Sequence, residues 1–325
     1  MGETTRTAGD NEDERYDAVV VGGGAAGLNA ALVLGRARRR VAVVDAGEPR
    51  NAPAAHMYGY LSRDGMPPAA LLAVGREEVA RYGVDLIGAR VGHIEPDGGG
   101  FVVHLAGGPA LHARRVVVAT GLRDGLPELP GLVERWGRDV LHCPYCHGWE
   151  VRDRPLGVLG TGPGAVNQAL LLRQWSADVV LLAHTLEPTD AERERLAARG
   201  VRVVGGRIVR LVSEDGRLRG VELANGQVVP REAVFVAPRP VPRDALLFGL
   251  GCARDAEGWV TTDRTGRTSV PGVWAVGNVA DPRAQVVVAA GAGAAAAIAL
   301  DHDLLAEEVE RAVGRHRASG AVLSG

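Results

Sequence analysis

Cysteine is scarce in this chain. Three in 325 residues are too few to scaffold a protein of this size with disulfides. Aromatic residues make up only 4%, so helices and sheets must pack through small and aliphatic side chains. The 45 glycines point the same way, to an α/β fold whose backbone comes close to ligands. Neither sign of charge is in excess: 37 Lys and Arg against 39 Asp and Glu leave a net charge of -2, and with it no electrostatic case for nucleic acid. Residues 1–14 hold no apolar core of a signal peptide and read as a disordered N-terminus. The longest apolar run, 286–300, is short for a bilayer and contains Gly291 and Gly293, so a buried helix is expected. These absences together predict a soluble cytoplasmic protein with no membrane partner.

What is present is a pair of βαβ beginnings. An apolar strand at 16–21 runs into Gly22-Gly23-Gly24-Ala25-Ala26-Gly27, then an Ala/Leu helix, then a strand ending in Asp45. Gly22, Gly24 and Gly27 form G-x-G-x-x-G. That spacing permits a tight turn, close approach of backbone to a pyrophosphate, and close helix–strand packing. The helix N-terminus favours phosphate, and Asp45, eighteen residues after Gly27, is placed for ribose hydroxyls. A second strand–turn–helix follows at 156–175, with Gly160-Thr161-Gly162-Pro163-Gly164-Ala165 as its turn. Its next strand ends in His184-Thr185, with neither an acid for a ribose nor an arginine for a 2′-phosphate, which argues for a Rossmann-shaped unit kept as scaffold. The expected fold class is therefore α/β with two Rossmann-like, three-layer ββα domains. The boundaries read as 15–124 for the first part of one domain, 125–243 for the second, and 244–325 for the return to the first.

The cysteines carry the chemistry. Residues 141–150 read Leu141-His142-Cys143-Pro144-Tyr145-Cys146-His147-Gly148-Trp149-Glu150. A Cys-x-x-Cys pair closes a small disulfide ring and favours a thiolate near neutral pH, and flanking histidines take or supply protons. Zinc ligation by His142, Cys143, Cys146 and His147 competes with that reading, but adjacent residues rarely fold around one metal. Haem attachment at Cys-x-x-Cys-His needs an export signal, and an inert buried pair is a third alternative. No metal is expected. Cys252 reads as a small buried residue, while His56, His93, His104 and His112 show no informative spacing.

The order of these motifs resembles the low-molecular-weight thioredoxin reductases over roughly residues 16–305. Val118-Ala119-Thr120-Gly121 matches that family's Ala-Thr-Gly segment. Residues 271–278, ending Gly277-Asn278, match its second FAD motif, with Asn where Asp is usual. The resemblance implies FAD as cofactor, the low-molecular-weight thioredoxin reductase architecture and a homodimer. The cofactor-binding residues it implies are Gly22, Gly24, Ala25, Ala26, Gly27, Asp45, Ala46, Arg50, Asn51, Ala119, Thr120, Gly121, Gly277, Asn278, Gln285 and Val286. It also implies that the helix near Gln285 turns its N-terminus to the flavin. The sequence alone adds an apolar stripe of Leu304, Leu305, Val309 and Val313, which packing on the chain's own core explains equally well.

Two departures narrow the resemblance. His147 stands where Asp usually follows the second cysteine, and His184-Thr185 replaces paired arginines. Both features, with the string 143–150, are similar to the flavin-dependent dithiol oxidases of gliotoxin, holomycin and romidepsin biosynthesis. That implies a small-molecule dithiol and O2 as partners, with Cys143 attacked by substrate, Cys146 nearer the flavin, and His147 or His142 as base. An NADPH-dependent disulfide reductase and a non-enzymatic flavin redox sensor remain the alternatives.

Overall fold

The computed structural model describes residues 15–162 and 164–322, with side chains to 319. The expectation of disorder at 1–14 lies outside the described residues. The chain forms two compact units: one takes Met1–Pro49, Ala70–Arg123 and Pro242–Gly325, the other Arg50–Ala69 and Asp124–Val241. The segments at the two crossings, Leu122–Gly125 and Arg239–Pro242, pair as a two-stranded ribbon.

In the first unit, strands Asp85–Gly88, Val41–Asp45, Tyr16–Val21 and Ala110–Val118 lie side by side in parallel, and Val273–Ala275 adds to the last of them. Tyr16–Val21 and Val41–Asp45 are almost wholly buried, as continuous apolar runs in a sheet covered on both faces must be. One face buries Val20, Val43, Val117 and Leu34 with the long C-terminal helix; the other buries Val19, Val44, Val116 and Val118 with Cys252. The helix begins at Val286 and runs to Val322, well past the apolar run 286–300. By length and composition it is apolar enough to span a membrane, yet one stripe of it is core: Ala296, Ala297, Leu300 and Leu304 are fully buried, while Val287, Val288 and Ile298 are exposed, so the run 286–300 is only partly the buried helix expected. It packs so closely on helix Ala25–Arg36 that a Cβ on Gly293 would lie 2.0 Å from the Ala26 carbonyl oxygen. Leu304 thus packs on its own core, whereas Leu305, Val309 and Val313 are exposed.

Strands Val91–Asp97 and Gly100–Leu105 extend this sheet as an antiparallel meander. The first of them has one buried residue, Ile94, and so carries no legible alternation.

The second unit has a parallel sheet of strands Arg202–Val204, Val179–Leu182, Leu156–Leu159, Ala233–Phe235 and Val140–Leu141, in that order. A three-stranded antiparallel sheet, Ile208–Glu214, Arg217–Leu223 and Val228–Pro230, accompanies it. Helix Asp190–Ala198 opens on a capping box between Thr189 and Glu192. Chain order alone put 50–69 with the first domain. Its contacts lie in the second unit: Gly137 leaves no room for a Cβ beside Pro53, and Tyr58 meets His147.

Candidate active site

In the second unit, strand Val140–Leu141 delivers His142 and Cys143 to the start of one helical turn, Pro144–His147. Pro144 suits the first helical position because its missing N–H is not needed there. Cys143 caps the turn: its Sγ accepts from the Cys146 N–H at 3.2 Å, and the two cysteines are joined as a disulfide with Cα atoms 5.2 Å apart. Gly148 ends the turn against the Trp175 ring, where a Cβ would lie 2.8 Å away. Tyr145, within the Cys-x-x-Cys turn, and Trp149, just after it, are each 65% exposed.

The two flanking histidines are held neutral. Burial, and then the charge of Arg50, pushes His142 below the usual imidazole value; Asp124 and the Val236 carbonyl pull weakly the other way. His142 Nδ1 lies 3.4 Å from the Val236 carbonyl oxygen, a partner that only accepts, so the proton sits on Nδ1 and Nε2 is the basic atom. Gln168 Nε2 donates to the His142 carbonyl at 2.7 Å, and Arg50 makes two bonds to Asp124 at 2.9 and 2.7 Å. His147 is lowered by burial and then by His142, and the Tyr58 ring stands edge-on to it. Sequence reading identifies the histidines and places pocket residues in the loop 51–64, which holds Tyr58, but it does not single out Asp124 or Gln168, the latter on helix Gly164–Leu172.

The first unit holds the glycine turn. Gly22, at φ +107°, and Gly27 admit no Cβ, which would lie 2.4 Å from the Ala119 oxygen and 1.9 Å from the Gly22 oxygen. Gly24 faces open space, with nothing within 4 Å of an added Cβ. That bare backbone at a helix N-terminus is what a pyrophosphate requires. Asp45 ends its strand beside Gly23 and its Oδ2 accepts from Arg76 at 3.1 Å, a partner spacing did not reveal; Ala46 follows, exposed. Ala25 and Ala26 open the helix. Thr120 donates to the Arg243 carbonyl at 2.6 Å, and Gly121 takes φ +70°.

Gly277 brings the second motif to the turn, since its Cβ would sit 3.0 Å from that of Ala26. Asn278 donates through Nδ2 to the carbonyls of Asp281 and Ala284 at 2.9 and 3.0 Å, setting the loop before Gln285 and Val286. An ionised Asp could make neither bond. Fourteen of the proposed cofactor residues thus share the first unit; Arg50 and Asn51 fall in the second.

The second glycine turn is similarly tight at Gly160, where a Cβ would meet the Ala183 oxygen at 2.3 Å. Pro163 lies outside the described residues. His184, at φ +52°, accepts the Ile208 N–H on Nδ1 at 3.0 Å, and Thr185 donates to the Gly160 carbonyl at 3.3 Å. The position where an adenosine is ordinarily read is therefore bonded to the protein's own backbone.

Residues 16–294 match the profile of the family described as pyridine nucleotide-disulphide oxidoreductase. A solved structure described as the crystal structure of HlmI is 63% identical, with a TM-score of 0.92, covering 94% of this chain and 97% of that one. A probable thioredoxin reductase from Arthroderma benhamiae is 31% identical over 94% of this chain and 85% of its own. The thioredoxin reductase sirT from Leptosphaeria maculans is 30% identical over 90% and 96%.

Proposed function

We propose, on the premise that this chain belongs to the pyridine nucleotide-disulphide oxidoreductase family, that it is an FAD-dependent dithiol oxidase. It closes an intramolecular disulfide in a small-molecule dithiol of the natural-product kind and passes the electrons to O2. The glycine turn, Asp45 and the Gly277–Asn278 segment fit an FAD. The chemistry FAD supplies when bound is removal of two electrons from the reduced cysteine pair and their delivery to O2, which takes up two protons to become hydrogen peroxide.

The residues of the second unit do the thiol chemistry. A substrate thiol gives its proton to neutral His147 or His142, and the thiolate attacks Cys143 Sγ. The Cys143–Cys146 bond breaks, Cys146 leaves as thiolate, and a mixed disulfide forms. The second substrate thiol gives its proton to the other of the two histidines, and its thiolate attacks the substrate sulfur of that bond, expelling Cys143 as thiolate and leaving the cyclic disulfide. The Cys146 N–H that now meets Cys143 Sγ is in place to donate to this leaving thiolate. Tyr145 and Trp149 offer flat apolar surface for a compact substrate. The same reading includes a homodimer, for which the exposed Leu305, Val309 and Val313 are available, and a cytoplasmic location.

The observation that carries the oxidase over a reductase is His184, whose imidazole is bonded to the Ile208 amide where a nicotinamide cofactor would need a reader. A second reading, an NADPH-dependent disulfide reductase, is favoured by the names of the curated relatives. Anaerobic titration separates them. The oxidase predicts no bleaching of the flavin band by NADPH or NADH, bleaching by a small dithiol, and recovery with peroxide on admitting O2. Fast bleaching by NADPH would replace it with the reductase.

A further inference from the structure

The hairpin Val91–Asp97 and Gly100–Leu105 carries a cluster for which the thiol chemistry has no use. His93 and His104 are direct partners across the ladder. Their rings stack with centroids 4.0 Å apart and planes 10° from parallel. Glu95 lies two residues beyond His93 and so on the same face, and its Oε1 is 2.8 Å from His104 Nε2. Ile94 and Val103, next to these residues in sequence, are buried, which fixes the opposite face as outward. One ligand atom from each of His93, Glu95 and His104 lies within 4.8 Å of the other two.

We propose that His93, Glu95 and His104 form a surface site for a late first-row divalent cation, Zn²⁺ or Cu²⁺. Two imidazoles and one carboxylate are a donor set these ions favour, whereas Mg²⁺ and Ca²⁺ take oxygen ligands. Bonds of about 2.1 Å to the metal require donor atoms roughly 3 Å apart. The three side chains reach that spacing by rotation about their own bonds, because His93 and Glu95 are exposed and His104 is half-buried. The remaining coordination positions go to water. A bound ion ties the two strands together at the edge of the sheet, where Ile94 is the one buried residue of strand Val91–Asp97.

The test uses untagged, oxidised protein, so that the disulfide offers no thiolate, and titrates Zn²⁺, Cu²⁺ and Mg²⁺ by calorimetry. One equivalent of Zn²⁺ or Cu²⁺ is expected, Cu²⁺ the tighter of the two, with no Mg²⁺ binding. His93→Ala and His104→Ala should each weaken Zn²⁺ binding by about tenfold or more, and the exposed His316→Ala should leave it unchanged. Zn²⁺ should raise the thermal midpoint of the unsubstituted protein and not that of His93→Ala, a readout independent of turnover. Absence of saturable binding, or full affinity retained in both hairpin variants, would overturn the proposal.

Discussion

The imidazole of His147 meets the Tyr58 ring edge-on, with centroids 6.2 Å apart. Burial lowers His147, and it lowers His142 as well. A histidine with a depressed folded value binds fewer protons folded than unfolded, so its contribution to stability is present above the unfolded value and lost as pH falls through the folded one. Urea midpoints should therefore drop as pH falls below about 6.5, and the drop should shrink in His142→Gln/His147→Gln. Tyr58→Ala opens His147 to water and should move the acid limb of kcat/KM with dithiol to higher pH. Tyr58→Phe keeps the ring and should leave that limb in place.

Gly24 and Gly27 separate ligand demands from folding demands. Gly24→Ala meets no atom within 4 Å, and its φ of -78° suits alanine. The chain should fold at a cost of about 0.5–1 kcal/mol, with an unchanged far-UV spectrum. It should nevertheless be isolated with much less flavin, because the new methyl faces the cradle. Gly27→Ala drives a Cβ to 1.9 Å from the Gly22 oxygen and should destabilise the fold itself, on the order of 4 kcal/mol or more. Full flavin content in Gly24→Ala would remove the cofactor from this turn.

Much of this was legible in the sequence because continuous apolar runs and obligatory glycines are local signals. Tyr16–Val21, Val41–Asp45 and Leu156–Leu159 all appear where such runs stand. Strand Val91–Asp97 was not legible: with one buried residue it is held by its antiparallel partner, and pairing is long-range information. His93 and His104 looked uninformative for the same reason, since eleven positions of sequence become one rung of a ladder. The cysteine string was legible as chemistry, but the residues that tune it, Tyr58, Arg50 and Asp124, reach it from elsewhere in the chain.

Asn278 illustrates a departure from a family pattern that the local structure explains. Its amide donates to the Asp281 and Ala284 carbonyls, and a carboxylate there would oppose both oxygens. Asn278→Asp should lose about 2 kcal/mol, seen as a lower urea midpoint at pH 7. Part of that loss should return at pH 4, where protonation restores one donor. A midpoint unchanged at pH 7 would show that the amide bonds do not set this loop.

The C-terminal helix is tied down by charge as well as by its alanines. Arg115 reaches Asp303 and Glu307 at 2.6 and 2.7 Å, Arg114 reaches Asp17 and Glu308 at 2.8 and 2.7 Å, and Arg39 reaches Asp301 and Glu308 at 2.6 Å each. Burial alone would raise the carboxyl values of Asp303, Glu307 and Glu308. The arginines outweigh it and hold all three below the ordinary range. Carboxylates depressed in the folded state contribute stability that is present above their unfolded values and lost as pH falls through the folded ones. Amide exchange near residues 301–311 should therefore accelerate, relative to residues 289–300, as pH drops below roughly 4.5. Arg115→Met removes one cation from two acids while keeping much of its apolar stem. It should cost less than the roughly 3–5 kcal/mol of a fully buried broken pair, because Arg267 still holds Asp303 and Arg311 still holds Glu307. Its effect should be local, and exchange in strand Tyr16–Val21 should not change. Uniform acceleration across the first unit would mean instead that the network supports the sheet, with the helix end following passively.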